Sequence, residues 1–402
     1  MQFGVECLLT QTVYVPFEMY LSGRILKTLP SITHTNATLR HLIPPRSKMP
    51  AKIVCLGNPL LDLQATTTTA YLDRYHLKPN DAILVANTPS SKDQDTDPRM
   101  AIFEEILKFD DVKFVAGGAA QNTARGAAWV LGDKSVAYFG SVARDKYSEL
   151  LLSKNAEAGV VSYYQIQQQD KTGAPIGTGK CAALITGHNR SLVTDLGAAN
   201  YFTPDFLDEH WDVVESAELF YIGGFHLTVS PEAILKLGEY AKRAQKPFVL
   251  NLSAPFIPQF YKDPLDKVLP PATHIIANET EAASLAEHFS LGSGLTDSGE
   301  SLAAIGRKLL EKYGDDKTVV FTHGLEPTVV ITRENTREYK VVPVDSNKIV
   351  DTNGAGDAFA AGFIAGLVQG KSLEECVDLG HWVASLSIQE VGPSYPRERM
   401  TR

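Results

Sequence analysis

From residue 51 onward the apolar positions follow two alternating rhythms. Short apolar runs bounded by glycine, proline and asparagine fall at 52–56, 135–140, 218–222, 247–251, 273–276, 317–321 and 328–332. Runs this short and this rich in Val, Ile and Phe read as strands buried on both faces. Between them, apolar residues recur every three or four positions at 99–109, 119–131, 146–157, 231–244, 279–288, 299–312, 356–368 and 373–389, which predicts helices. In the helix at 231–244, Ser230 is placed to cap and Pro231 sits at the first helical position. Strand and helix in alternation predict an α/β fold, a mainly parallel sheet covered on both faces. Residues 60–87 and 160–195, rich in Thr, Gln, Tyr and Val, break the alternation. They read as short strands outside the main sheet, in the manner of a small antiparallel lid. A polar, charged loop spans 89–98, and no internal repeat is visible.

The first 48 residues follow neither rhythm. They carry Arg24, Lys27, Arg40, Arg46 and Lys48 against Glu6 and Glu18, with many Ser and Thr. Such acid-poor stretches resemble mitochondrial transit segments, but the two glutamates interrupt this one and no clean amphipathic face appears. Met49-Pro50, directly before the first strand, marks a second candidate start. The expected organisation is therefore an extension at 1–50 outside the fold and one large domain at 51–402, with lid segments near 60–87 and 160–195. A cytoplasmic location is expected, with the nucleus and organelle targeting by residues 1–48 left open.

Composition narrows the partners. The formal charge of −9 argues against nucleic acid or an anionic membrane. Cys7, Cys55, Cys181 and Cys376 are far apart, which fits a reducing compartment and gives no structural zinc pattern. No apolar run reaches membrane-spanning length, so a soluble protein, working as a monomer on small molecules, is expected.

The candidate chemistry centres on Asp351-Thr-Asn-Gly-Ala-Gly-Asp357, which opens an apolar helix. Glycines at 354 and 356 allow unusual backbone conformations and close approach of a ligand. Free N–H groups at a helix start favour negative charge. A carboxylate beside such a cradle suits phosphoryl transfer to an alcohol, although a helix cap in a glycine turn would look the same. Four further clusters fall mostly at predicted strand ends, where open α/β sheets place ligands. Asn58 and Asp62, in Gly57-Asn-Pro-Leu-Leu-Asp62, suit a vicinal diol, or form a plain turn. Ala116-Gly-Gly-Ala-Ala-Gln-Asn122 permits close backbone approach, or tight packing. Asn278 and Glu281 suit water-mediated Mg²⁺ binding, or form a capping box, or both. Arg190, in His188-Asn-Arg190 between two lid strands, could reach a transferring phosphate, though a hairpin arginine is usually without such a task.

Other patterns fail on inspection. Gly177-Thr-Gly-Lys180 lacks the first glycine of a P-loop, having Ala174 there, and Cys181 replaces the Ser or Thr. Phe359 stands where a dinucleotide fingerprint needs its third glycine. Asn251-Leu-Ser253 and Asn278-Glu-Thr280 match a glycosylation pattern, but nothing else points to secretion.

Taken in order, the clusters resemble the carbohydrate kinase (PfkB, ribokinase-like) family. Its closing signature D-T-x-G-A-G-D is complete at 351–357, and its Gly-Gly-x-x-x-Asn element sits at 117–122. Gly57–Asp62, Leu77–Asp81, Tyr221–Phe225 with Leu227–Pro231, Asn251–Phe256 and Asn278–Ala282 are closest to the branch that phosphorylates adenosine. The resemblance covers roughly residues 52–397. It implies a three-layer α/β/α domain with a β-strand lid, and transfer from ATP to the adenosine 5′-hydroxyl, giving AMP and ADP for purine salvage. It implies Asp357 as general base, with Gly354, Ala355, Gly356 and Arg190 stabilising the phosphoryl group. Asn58, Asp62, Gly118, Asn122 and Asn353 would hold the nucleoside, and Phe225, Leu84 and Leu192 its base. Asn278 and Glu281 would hold Mg²⁺ through water, and Thr322, Gly324 and His381 would seat ATP with Asn278. Ala82, Thr194 and a longer segment at 171–180 depart from the family pattern and bear on purine selectivity. A sugar kinase, a kinase for another purine nucleoside, and a non-catalytic nucleoside-binding regulator are the rival readings.

Overall fold

The computed structural model describes residues 51–79, 82–85, 97–187, 189–291 and 299–400. The 1–50 extension, most of the 89–98 loop, Asp81 and His188 lie outside them. Among the described residues the strands begin with β1 (Ile53–Leu56), β2 (Leu60–Thr66), β3 (Ala82–Leu84), β4 (Lys113–Gly117) and β5 (Val136–Ala143). β6 (Val160–Gln167), β7 (Lys180–Thr186), β8 (Asn189–Asp195), β9 (Leu219–Gly223) and β10 (Phe248–Asn251) follow. β11 (His274–Asn278), β12 (Thr318–His323), β13 (Glu326–Ile331) and β14 (Thr336–Tyr339) complete the order.

The central sheet runs β14-β13-β12-β11-β10-β9-β1-β5-β6, parallel from β12 to β6 and antiparallel at the β13 and β14 edge. Its strands are continuous apolar runs because both faces are covered. In β1, Val54 and Leu56 enter one core with Phe220, Ile222 and Leu250. That core is closed by the helices Pro231–Ala244, Glu279–His288 and Gly299–Tyr313, through Leu237, Leu285 and Leu309. Ile53 and Cys55 enter the opposite core with Tyr221 and Val249, under the helices Ala119–Leu131, Ala355–Val368 and Leu373–Ser387. Successive residues therefore serve opposite layers, which gives the three-layer arrangement. The strand order reverses at β1, whose neighbours are β9 on one side and β5 on the other.

A second sheet, β3-β8-β7-β2-β4, forms the lid. It is mixed where an antiparallel one was expected: β2 pairs β7, and β3 pairs β8, in parallel. Its inner residues Leu61, Leu63, Ala182 and Leu184 join the second core.

Several sequence expectations are corrected. Residues 160–167, assigned to the lid, form β6 at the edge of the central sheet, in parallel register with β5. Only one side of β6 has a partner strand, and its buried members are Val160 and Tyr164, so its outer positions tolerate glutamine and serine. The expected helix at 99–109 is a single α turn, Ile102–Glu105, between 3₁₀ turns, because the chain becomes extended at Phe109. The Ser230 hydroxyl makes no cap bond, although Pro231 does open its helix. Among the described residues, no helix is long and apolar enough to cross a membrane.

Candidate active site

The C-terminal ends of the central strands and the inner face of the lid enclose a cavity of about 480 Å³. Asn58 follows β1, Asn251 and Asn278 end β10 and β11, and Thr322 lies near the end of β12; all four line it. The cavity thus sits where the strand order reverses, which is where open α/β sheets bind ligands. From the lid come Asp62, Leu84 and Leu192.

The turn at 351–357 is built by its first carboxylate. Asp351 Oδ1 accepts from the Asn353 N–H at 2.9 Å, and Oδ2 from Arg190 Nη2 at 2.6 Å and the Gly392 N–H at 3.0 Å. Gly354 caps the helix Ala355–Val368 in the left-handed region, φ 80°, and a Cβ there would lie 2.7 Å from Pro393 Cβ. Among the described residues no side chain caps this helix; the Ala355 N–H turns back to the Thr352 carbonyl at 3.3 Å, while Gly354, Gly356 and Asp357 line the cavity. Gly356 differs. Its φ is ordinary and a Cβ would meet nothing within 4 Å, so the protein itself does not require glycine there.

Asp357, on the first turn, accepts from Asn122 Nδ2 at 2.9 Å. Burial pushes its carboxyl up to about 7, against the Asn122 hydrogen bond and the charge of Arg125, which lower it. Asn122 belongs to the helix Ala119–Leu131, whose N-cap Gly118 has φ 86°; a Cβ there would strike the Asn58 carbonyl at 2.3 Å. Across the cavity, Asp62 on β2 is buried and also raised to about 7, burial outweighing Arg125 and Arg190. Asn58 donates from Nδ2 to the Phe225 carbonyl at 3.2 Å, and its Oδ1 lies 2.7 Å from His226 Nδ1. Burial holds His226 near 3 and therefore neutral, so Nδ1–H donates to Asn58. The Phe225 ring stands 5.9 Å from that of Phe256.

Asn278 and Glu281 form the full capping box, Glu281 N–H to Asn278 Oδ1 at 2.8 Å and Asn278 N–H to Glu281 Oε2 at 2.9 Å. Glu281 is raised to about 7, first by burial and then by Glu279 and Asp357.

Of the expected residues, Asn58, Asp62, Leu84, Gly118, Asn122, Leu192, Phe225, Asn278, Glu281, Thr322, Asn353, Gly354, Gly356 and Asp357 line this one cavity. Ala355, Arg190, Gly324 and His381 are not among its lining. Arg190 reaches the turn through Asp351, while His381 lies beyond, with Nε2 2.8 Å from Thr328 Oγ1. Three features escaped sequence reasoning. Asn251 and Ser253 line the cavity, the Asn251 amide donating to Tyr221 Oη at 3.1 Å, so the glycosylation pattern there is incidental. Arg125 is buried one turn after Asn122; a charged residue in an otherwise small and apolar helix stretch was the available signal. Residues 391–396 form a strap that supplies the Gly392 N–H to Asp351, the Pro393 carbonyl to Arg125 and the Pro396 carbonyl to Trp129.

A parallel sheet with a lid, a glycine cradle and a carboxylate beside it define a phosphotransferase acting on an alcohol, and the pfkB family carbohydrate kinase pattern matches residues 90–400. The chain belongs to that family. Within it, the chain is 61% identical over 353 residues to an adenosine kinase of Saccharomyces cerevisiae, covering 88% of this chain and 99% of that protein. It is 40% identical to an adenosine kinase of Schizophyllum commune, covering 86% and 96%. Among solved structures it matches Anopheles gambiae adenosine kinase in complex with P1,P4-di(adenosine-5) tetraphosphate. That match has a TM-score of 0.76 at 35% identity and covers 86% of this chain and 98% of that one. The Schistosoma mansoni adenosine kinase in complex with 2-fluoroadenosine matches with a TM-score of 0.77 at 28% identity, covering 86% and 97%.

Proposed function

We infer that the protein is an enzyme that phosphorylates adenosine with ATP as donor, at the 5′-hydroxyl. One observation carries the reading: Asp357 stands on the first turn of an uncapped helix start and opens on the same cavity as Asp62 and Phe225. The names of the relatives supply the acceptor, since the geometry of the cradle alone fits any alcohol. In-line transfer asks mainly for positioning, charge stabilisation and exclusion of water. Asp62 and Asn58 hold the ribose hydroxyls with Gly118, Asn122 and Asn353 alongside, and Phe225 takes the flat base under Leu84 and Leu192. Asp357, with a carboxyl near 7, accepts the hydroxyl proton at neutral pH. The N–H groups of 354–356 stabilise the transferring phosphoryl group, joined by Arg190 from the lid. Thr322, Gly324 and His381, on the side of β12 and β13, seat the donor.

Mg²⁺ fits as the metal, held through water by Asn278 and Glu281. Glu281 offers hard oxygen donors beside the cavity, and Mg²⁺ keeps most of its waters. Among the described residues no three His, Cys, Asp or Glu side chains are grouped to hold a metal directly. Bound there, the cation would neutralise charge on the donor phosphates. The site is complete within one chain, which supports a monomer. The free, buried Cys55, Cys181 and Cys376 fit the reducing cytoplasm or nucleus. The kinase domain is assigned to 51–402, with 1–50 outside the chemistry.

A coupled ADP assay with adenosine, inosine, ribose and fructose tests the reading. Adenosine is expected to give the highest kcat/KM by orders of magnitude, and ribose as best substrate would overturn it in favour of a sugar kinase.

A further inference from the structure

Arg125 lies at the contact of three elements and touches neither cavity nor solvent to any extent, being 7% exposed. Its Nη2 donates to the Asn122 Oδ1 at 2.8 Å, to the Ala116 carbonyl of β4 at 2.7 Å and to the Pro393 carbonyl of the strap at 3.3 Å. Its Nη1 is buried without a hydrogen-bond partner among the described residues. A side chain retained only for packing would not bring an incompletely satisfied guanidinium into the interior, since an aliphatic one avoids that cost.

The geometry around Asn122 supplies a role. An amide can be turned so that its oxygen and nitrogen exchange places. Here Oδ1 faces the guanidinium and Nδ2 faces the Asp357 carboxylate. In the turned form the amide N–H would face a donor, and its oxygen would face a carboxylate. Both contacts would be repulsive, so the guanidinium dictates which end of Asn122 meets Asp357.

We propose that Arg125 is a positioning residue for phosphoryl transfer: it locks the Asn122 amide in the orientation that donates to Asp357 and so fixes the base. The proposal rests on the reading of Asp357 as that base. Its charge acts in the same direction, favouring the ionised form of Asp357 and also of Asp62 across the cavity. The other titratable groups that act on Asp357 or are acted on by it are Asp62 from the lid, Tyr221 from β9, Glu281 from the helix after β11, and Tyr395 from the strap. None of these is a cation; among the described residues Arg125 supplies the positive charge that acts on Asp357, adding to the larger effect of the Asn122 hydrogen bond it orients.

The test is the pH dependence of kcat between pH 5.5 and 9 for the parent, Arg125→Gln and Arg125→Lys, with adenosine and ATP saturating and folding checked by thermal melting. Glutamine removes the charge and, because its own amide can present either oxygen or nitrogen, no longer dictates which end of Asn122 meets Asp357. Its acidic limb is expected to move up by about one pH unit, with kcat at pH 7 about fivefold lower and KM for ATP unchanged. Lysine keeps the charge without the planar fork, so the limb is expected to stay in place while kcat falls to an intermediate value. An Arg125→Gln profile that superimposes on the parent overturns the proposal, and so does a lower kcat with an unmoved limb, which packing loss alone would produce. Should Arg125→Gln fail to melt cooperatively, Arg125→Lys decides: parent-like kcat overturns the proposal, and reduced kcat at unchanged KM for ATP supports it. The parent is assayed first. If it forms no ADP with adenosine, the underlying reading fails and the proposal falls with it; a working parent with unaltered variants sinks the Arg125 proposal alone.

Discussion

As the proposed base, Asp357 combines two requirements that oppose each other. A base must lose its proton to act, yet burial favours keeping it, and the compromise lies at about 7. The acidic limb of kcat is therefore expected near pH 7, well above an ordinary aspartate, in a pH–rate profile with adenosine saturating. Replacing Asp357 with Asn is expected to lower kcat by about 10²–10⁴-fold while leaving adenosine binding, read by calorimetry, largely intact. The same substitution has a stability consequence. A carboxyl whose folded pKa is raised contributes fully below its unfolded pKa, and that contribution is lost as pH rises through the folded value. Asp62, Glu281 and Asp357 are all raised to about 7, so the unliganded protein is expected to weaken between about pH 4 and pH 7. Asp357→Asn should thus melt at a higher temperature than the parent at pH 8, with the gap closing toward pH 4. An Asn variant that melts lower at pH 8 would contradict the assignment of a buried, costly carboxylate.

At the scale of elements, the two glycines of the turn at 351–357 separate folding from the proposed chemistry. Gly354 is required by its left-handed backbone and by Pro393, so Gly354→Ala is expected to cost about 1–3 kcal/mol in denaturant unfolding. Gly356 is required by neither, so Gly356→Ala is expected to leave stability within about 0.5 kcal/mol and still reduce kcat/KM for ATP, because the new methyl group enters the space left for the phosphoryl group. Equal loss of stability and activity in both variants would remove this distinction. The strands and long helices of the central layer were legible because each buries a periodic apolar pattern. What was not legible depended on partners distant in sequence. Val160–Gln167 reads as polar and peripheral, and only pairing with β5 places it in the central sheet. Most of the site was legible because its residues sit at the ends of readable strands. Arg125 was not, since its importance lies in the orientation it imposes on Asn122, and no spacing announces that. Arg190, expected between two lid strands, lies within β8 opposite Ile185, and its contact with Asp351 joins positions 161 residues apart.

For the whole molecule, the cavity belongs to two sheets at once: the central sheet supplies strand ends, and the lid supplies Asp62, Leu84 and Leu192. No described residue of this cavity precedes Gly57. Deleting residues 1–48, so that the chain starts at Met49, is therefore expected to leave kcat and KM for adenosine unchanged within about twofold, measured on the purified truncated protein. A severalfold loss would mean that the extension takes part in the site. The strap at 391–396 also bears on synthesis. The turn at 351–357 leaves the ribosome before the residues that hold it, because the Asp351 and Arg125 contacts to Gly392 and Pro393 come later in the chain. Domains generally fold as units as they emerge. The sheet, lid and cavity walls of this one can assemble first, but the catalytic turn acquires its last partners only after the strap has been translated. A nascent chain released just short of residue 391 would thus carry the whole cavity lining with the turn at 351–357 still lacking its last partners, and activity would appear as one of the last events of its production.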